Sequence, residues 1–201
     1  LGGNWIRLSA GTVMTGVEGG GAFASSCLVD GNATIVIGRQ TPGSTVSNYF
    51  GTLLVGTLGV PSTLTARPGA GVSPGGIAQL SFGNVDLGYA NQSFRIQNQA
   101  GANCQMVFNG VVGDSYGPQA LVKDGDGGML LLAANTYRGG TVLSNGVLLV
   151  SNNTGSGTGT GDVTVWGGVL GGNGRIARSV VVKSNGVLAV GSSIGSLAIS
   201  N

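Results

Sequence analysis

The carboxylates are the first place where chemistry could sit. The acidic residues are Glu18, Asp30, Asp86, Asp114, Asp124, Asp126 and Asp162. Only Asp124 and Asp126, in the run KDGDGG from Lys123 to Gly128, are close neighbours. Two aspartates two apart can open a calcium loop, but a tight site needs further oxygen ligands and a downstream bidentate glutamate. The stretch supplies neither; a polar turn is the expectation, with weak calcium binding as the alternative. Polysaccharide cleavage needs paired carboxylates at a set separation; Asp30 is isolated, and Asp86 and Asp114 lie more than one repeat apart. GSSIG, Gly191 to Gly195, satisfies a nucleophile-elbow pattern around Ser193, yet the chain has no histidine to serve as its base. GNGRIA, Gly172 to Ala177, satisfies a loose dinucleotide pattern. It is followed by RSVVVKSNG, a strand rather than the helix whose N-terminus would hold a pyrophosphate. No catalytic residue, cofactor site or metal site is assigned.

Two residue sets remain. Cys27 and Cys104 are 77 residues apart and fit no metal-ligand spacing, which leaves a disulfide or two buried thiols. Tyr89, Tyr116, Tyr137 and Trp166 could stack on sugars, although aromatic residues on strands commonly pack against their neighbours instead.

The elements that would carry these residues follow from composition. Only 8% of residues are charged and 41% are hydrophobic, so the chain has the apolar content to fold. It also has 41 glycines, each costing about 1 kcal/mol in a helix interior, and long helices are not expected. The nine basic residues are scattered, without the clustered surface that a nucleic acid backbone requires. The longest apolar run, Gly127 to Ala134, falls short of the roughly 20 residues that span a bilayer as a helix. The chain opens on Leu1 without a visible secretory signal, as a piece cut from a longer precursor would.

Repetition is the strongest signal. SNGVLLV, Ser144 to Val150, returns as SNGVLAV, Ser184 to Val190, with WGGVLGG, Trp166 to Gly172, between them. Gly127, Asn145, Gly167 and Asn185 fall in register at spacings of 18, 22 and 18, and three residues on stand Leu130, Leu148, Leu170 and Leu188. Gly11, Gly31 and Gly51 extend the period toward the N-terminus at a spacing of 20. Val60 to Gly76 holds three of the five prolines and interrupts it, as a loop bulging from a rung or a change of cross-section. Such a period suits a parallel β-solenoid with about 18–22 residues per coil and coils about 4.8 Å apart. Asn-Gly pairs at Asn109, Asn145, Asn173 and Asn185 would turn its corners through left-handed backbone. On that period Cys27 and Cys104 lie about four coils, or roughly 19 Å, apart, beyond the about 7 Å a disulfide tolerates. No bridge between them is expected.

The run from Leu121 to Val165 resembles the autotransporter-associated β-strand repeat of bacterial surface and secreted proteins. Leu121, Lys123, Gly125, Gly127 and Leu131 match its first segment, with Met129 at its first strand leucine. Asn135, Thr136, Tyr137, Gly139, Gly140 and Thr141 match its second. The ending VGSSIGSLAIS is similar to the family's closing segment, with Val190 in place of proline. The resemblance covers residues 77–201, and residues 1–76 share only its style. It implies a single continuous right-handed parallel β-helix, all-β, located outside the cell or on the bacterial outer surface. It also points Met129 and Leu131 inward, which leaves Leu148, Leu170 and Leu188 as the structural ladder.

The functional expectation is a non-catalytic structural rod, sheath or fibre subunit. Its partners would be further copies end to end, or further coils of the parent chain. The first thirteen residues hold one charge, Arg7, and the last eleven none, so neither end is blunted against strand addition. A glycan- or host-surface-binding adhesin is the alternative, and a carbohydrate-active enzyme the third. A row of aromatics on one face would favour the second, a carboxylate cluster in a groove the third, and open ends the first.

Overall fold

The computed structural model describes residues 5–16, 21–23, 25–56, 59–190 and 196–200. The protein is all-β, with no helix among the described residues, and its strands recur in threes. The first coil carries β1 (Trp5–Leu8), β2 (Gly11–Gly16) and β3 (Gly21–Phe23); the second β4 (Ser26–Val29), β5 (Ala33–Gly38) and β6 (Gly43–Phe50). The third carries β7 (Leu53–Val55), β8 (Thr63–Pro68) and β9 (Val72–Phe82); the fourth β10 (Val85–Asp86), β11 (Gln92–Ile96) and β12 (Asn103–Phe108). The fifth carries β13 (Val112–Gly113), β14 (Leu121–Asp124) and β15 (Gly128–Leu131); the sixth only β16 (Thr141–Leu143) and β17 (Val147–Val150). Then come the long β18 (Val163–Gly172), β19 (Arg175–Ile176), the long β20 (Val180–Val190) and β21 (Ala198–Ile199).

Every pairing between these strands is parallel. Three ladders result: β1-β4-β7-β10-β13, then β2-β5-β8-β11-β14-β16, then β3-β6-β9-β12-β15-β17. The second and third ladders meet in β18, whose first half pairs with β16 and second half with β17, and β20 repeats the same double pairing. Beyond β13 the first ladder has no strand until β19, yet single backbone bonds continue it. Thr136 N–H donates to Val112 O at 2.9 Å, Asn135 N–H to Ser156 O at 2.7 Å and Gly157 N–H to Arg175 O at 2.8 Å.

One ladder shows how side-chain volume sets coil width. On the third face Phe23, Phe50, Phe82, Phe108, Leu131 and Val150 stand in register from coil to coil. The first three are stacked face to face, with ring centroids 4.9 and 5.7 Å apart, and Phe108 meets both Phe82 and Phe94 edge-on. Phe50 pairs with the residue 32 positions on, and Leu131 with the one 19 positions on. Wide coils thus enclose phenylalanine and narrow ones leucine and valine.

This taper corrects several expectations. The period of 18–22 holds in the last coils, where Leu148 pairs with Leu170 and Leu170 with Leu188. The second to fifth coils are longer, because corner loops wrap the larger core. The even spacing of Gly11, Gly31 and Gly51 is not the repeat: Gly11 pairs with Ala33, and Gly51 precedes β7 in a different ladder. The Pro/Gly-rich stretch at 60–76 contains β8 and the start of β9, and of its two expected forms it takes the loop bulging from a rung. Its irregularity is a bulge, Gly43 pairing with Val72 but Thr45 with Ile77, so extra residues around Pro74 loop out.

The Asn-Gly corners also work differently from the expectation. Of the four glycines, Gly146 has a left-handed φ of 77°. At Gly174 the constraint is approach: a β-carbon there would fall against Asn152 Oδ1 and 2.7 Å from its backbone nitrogen. Buried asparagines supply the missing ladder bonds at these corners. Asn135 Oδ1 accepts from Val112 N–H at 2.7 Å while its Nδ2 donates to Gly157 O at 2.6 Å, and Asn152 Oδ1 accepts from Arg175 N–H at 2.9 Å.

Candidate functional site

The densest chemistry lies at the corner between β14 and β15. Lys123 occupies an inward position, in register with Phe94 before it and Leu143 after it, and is fully buried. Its stem fills core while Nζ reaches the corner and donates to Asp124 O at 2.9 Å, Gly125 O at 2.7 Å and Asn145 O at 3.0 Å. All three ammonium protons are used, and two coils are tied together. Burial pulls the Lys123 amine down to about 8, against the opposing pull of Asp124 and Asp126.

The two aspartates of this corner are engaged with the preceding coil. Asp124 Oδ2 takes Arg95 at 2.7 Å, and Asp126 Oδ1 accepts from Asn98 N–H at 2.9 Å. Burial by itself would raise the Asp124 carboxyl, but the Gly125 N–H and the Arg95 guanidinium outweigh it and hold it below its usual range. The corner is a polar turn whose carboxylates fasten coils. Arg7 with Asp30 at 2.9 Å and Arg138 with Asp114 at 3.1 Å are like clamps elsewhere. No group of three or more His, Cys, Asp or Glu converges among the described residues.

Cys27 and Cys104 are free and buried. They stand two coils apart rather than the expected four, on β4 of the first ladder and β12 of the third, because the intervening coils are long. Burial pushes both thiols up to about 12, which keeps them protonated at neutral pH.

The four aromatic residues separate. Tyr137 is buried, its hydroxyl 2.6 Å from Thr141 Oγ1. Tyr89 and Tyr116 stack on each other at 4.0 Å between the fourth and fifth coils, about half exposed, at the corner that joins the first and second ladders. Trp166 is 57% exposed at the bend of β18, with Lys183 Nζ 5.2 Å over its ring. They form no single row. GNGRIA runs from the end of β18 into β19 without a helix; Ser193 and its GSSIG run, and Glu18, lie outside the described residues.

Leu148 and Leu170 are fully buried, and Met129 precedes them in the same register. Leu130 points away from this ladder. Leu188 keeps the register yet is 36% exposed, because β20 pairs with β18 on one side and with no described strand on the other. Val182, whose mate Val165 is fully buried, and Val187, 52% exposed, share this open edge. The sequence placed these residues on a common ladder but carried no signal that the last rung would be uncovered.

No protein-family model, curated protein or solved structure matches the chain, so any family likeness rests on its own residues.

Proposed function

We propose that the chain is a segment of a right-handed parallel β-helix of the autotransporter-associated repeat type. It serves as a non-catalytic structural rod, sheath or fibre subunit on a bacterial surface and is extended along its axis by addition to its last rung. The observation that carries this reading is β20. Its second edge, over eleven residues, meets no strand among the described residues and presents Val182 and Leu188, whose register mates Val165 and Leu170 are fully buried. An open edge of this length and apolarity is a template for another strand. The continuous bonded ladders and inter-coil clamps support a mechanical role. An adhesin remains the second reading on one observation, the exposed Tyr89–Tyr116 stack.

Sedimentation velocity of the 201-residue chain between about 1 and 100 μM tests axial extension. Elongated species that grow with concentration are the expected result, and extension through heterologous contacts yields open filaments. A discrete monomer across the whole range removes self-assembly and moves the weight to the adhesin.

A further inference from the structure

Of the nine basic residues, eight have a partner for their charged group. Arg7, Arg95 and Arg138 hold aspartates, Lys123 holds three carbonyls and Lys183 lies over Trp166. Arg39 and Arg178 donate to carbonyls and Arg67 to Gln99 Oε1. Arg175 is the exception: its guanidinium is exposed and meets no acceptor among the described residues.

Arg175 lines a groove of about 660 Å³ on the first face of the last coils, where the strand ladder is replaced by single bonds. The rest of the described lining is neutral and rich in hydroxyls and amides, including Thr136, Asn153, Thr154, Thr160 and Ser200. No aspartate or glutamate is among the described lining residues. The backbone of Arg175 is fixed on both sides, its N–H donating to Asn152 Oδ1 and its carbonyl accepting from Gly157 N–H, and the adjacent Ile176 is buried. The cation is therefore presented from a rigid base rather than from a loose loop.

We infer that this groove binds a carboxylated sugar, a uronic acid residue of a polysaccharide. Arg175 takes the carboxylate through parallel N–H···O bonds, and the threonine, serine and asparagine side chains take the ring hydroxyls. One guanidinium matches one negative charge. A nucleic acid would need several cations in a row, and Arg175 is the one basic residue among the described lining residues. The inference is independent of axial assembly, since the groove lies on a side face.

The test is fluorescence anisotropy of the full chain with labelled trigalacturonate in about 50 mM salt, against the methyl-esterified trisaccharide. The acid form should bind at least about tenfold tighter than the ester, the range expected for a charge-assisted bidentate pair. Arg175→Gln should weaken binding at least about tenfold, and so should Ala177→Asp, which sets a carboxylate on the exposed rim. Arg67→Gln, on another face, should leave it within about twofold. Both groove variants change exposed side chains and should retain the wild-type far-ultraviolet circular dichroism. Equal binding of acid and ester, undiminished binding by Arg175→Gln, or no binding of the acid at 10 mM (roughly the weak limit of a one-charge site) would overturn the proposal.

Discussion

Leu148 and Leu188 are the same residue in the same register, one inside the stack and one on its last rung, and they should respond differently to truncation. Leu148→Ala removes three carbons from a fully buried position between Met129 and Leu170. At about 0.8 kcal/mol per buried CH₂ the transfer loss is about 2.4 kcal/mol. The closed cavity left among leucine and methionine adds to it, bringing the total to about 3–4 kcal/mol. Leu188→Ala removes the same atoms where the side chain is 36% exposed and the void opens to solvent, so the cavity contribution vanishes and about 1–1.5 kcal/mol is expected. Urea unfolding followed by circular dichroism at submicromolar chain resolves a difference of about 2 kcal/mol. At concentrations where the chain assembles, the Leu188→Ala loss should climb toward that of Leu148→Ala. Equal losses in dilute solution would mean that the last rung is covered within one chain. A loss below about 1 kcal/mol for Leu148→Ala would refute the inward ladder.

Three further outcomes are expected. Because the Lys123 amine sits near 8 when folded and near 10.4 when unfolded, the unfolded chain binds more protons in between. Lysine therefore adds stability as pH rises through that window, and the unfolding free energy of wild type relative to Lys123→Met, from urea titrations, should rise by up to about 3 kcal/mol from pH 7 to 10.5. The thiols act oppositely: folded near 12 and unfolded near 8.5, they stabilise fully below pH 8.5. That stability is lost as pH rises toward 12, by about 1.4 kcal/mol per pH unit per thiol, and a Cys27→Ala/Cys104→Ala double variant should show a flatter alkaline limb in the same titration. Gly174→Ala should destabilise by about 1–3 kcal/mol in thermal or urea melts, because its methyl would press on Asn152.

The class of fold was legible because a stacked coil must match its neighbours. SNGVLLV, WGGVLGG and SNGVLAV lie directly on one another, and their spacing was readable wherever coil length stayed constant. The polar turn at Asp124 and Asp126 and the strand after Gly172 were legible for the same local reasons. The phenylalanine ladder was not: Phe23, Phe50, Phe82 and Phe108 are unevenly spaced along the chain, and only the pairing of long coils brings them into one stack. Even spacing misled at Gly51, since sequence distance equals axial distance only when corners are of equal length.

The sequence by itself determined that the chain repeats, that strands rather than helices repeat it, and that leucines and valines share an inward position. Those properties depend on local conformational preference and on alternation, which neighbouring residues carry. Tertiary structure alone decided which basic residue went without a partner, how far apart the cysteines lie, and which leucine in a conserved register meets water. Each of those depends on what a neighbouring coil presents, and that is set by the length of every corner in between.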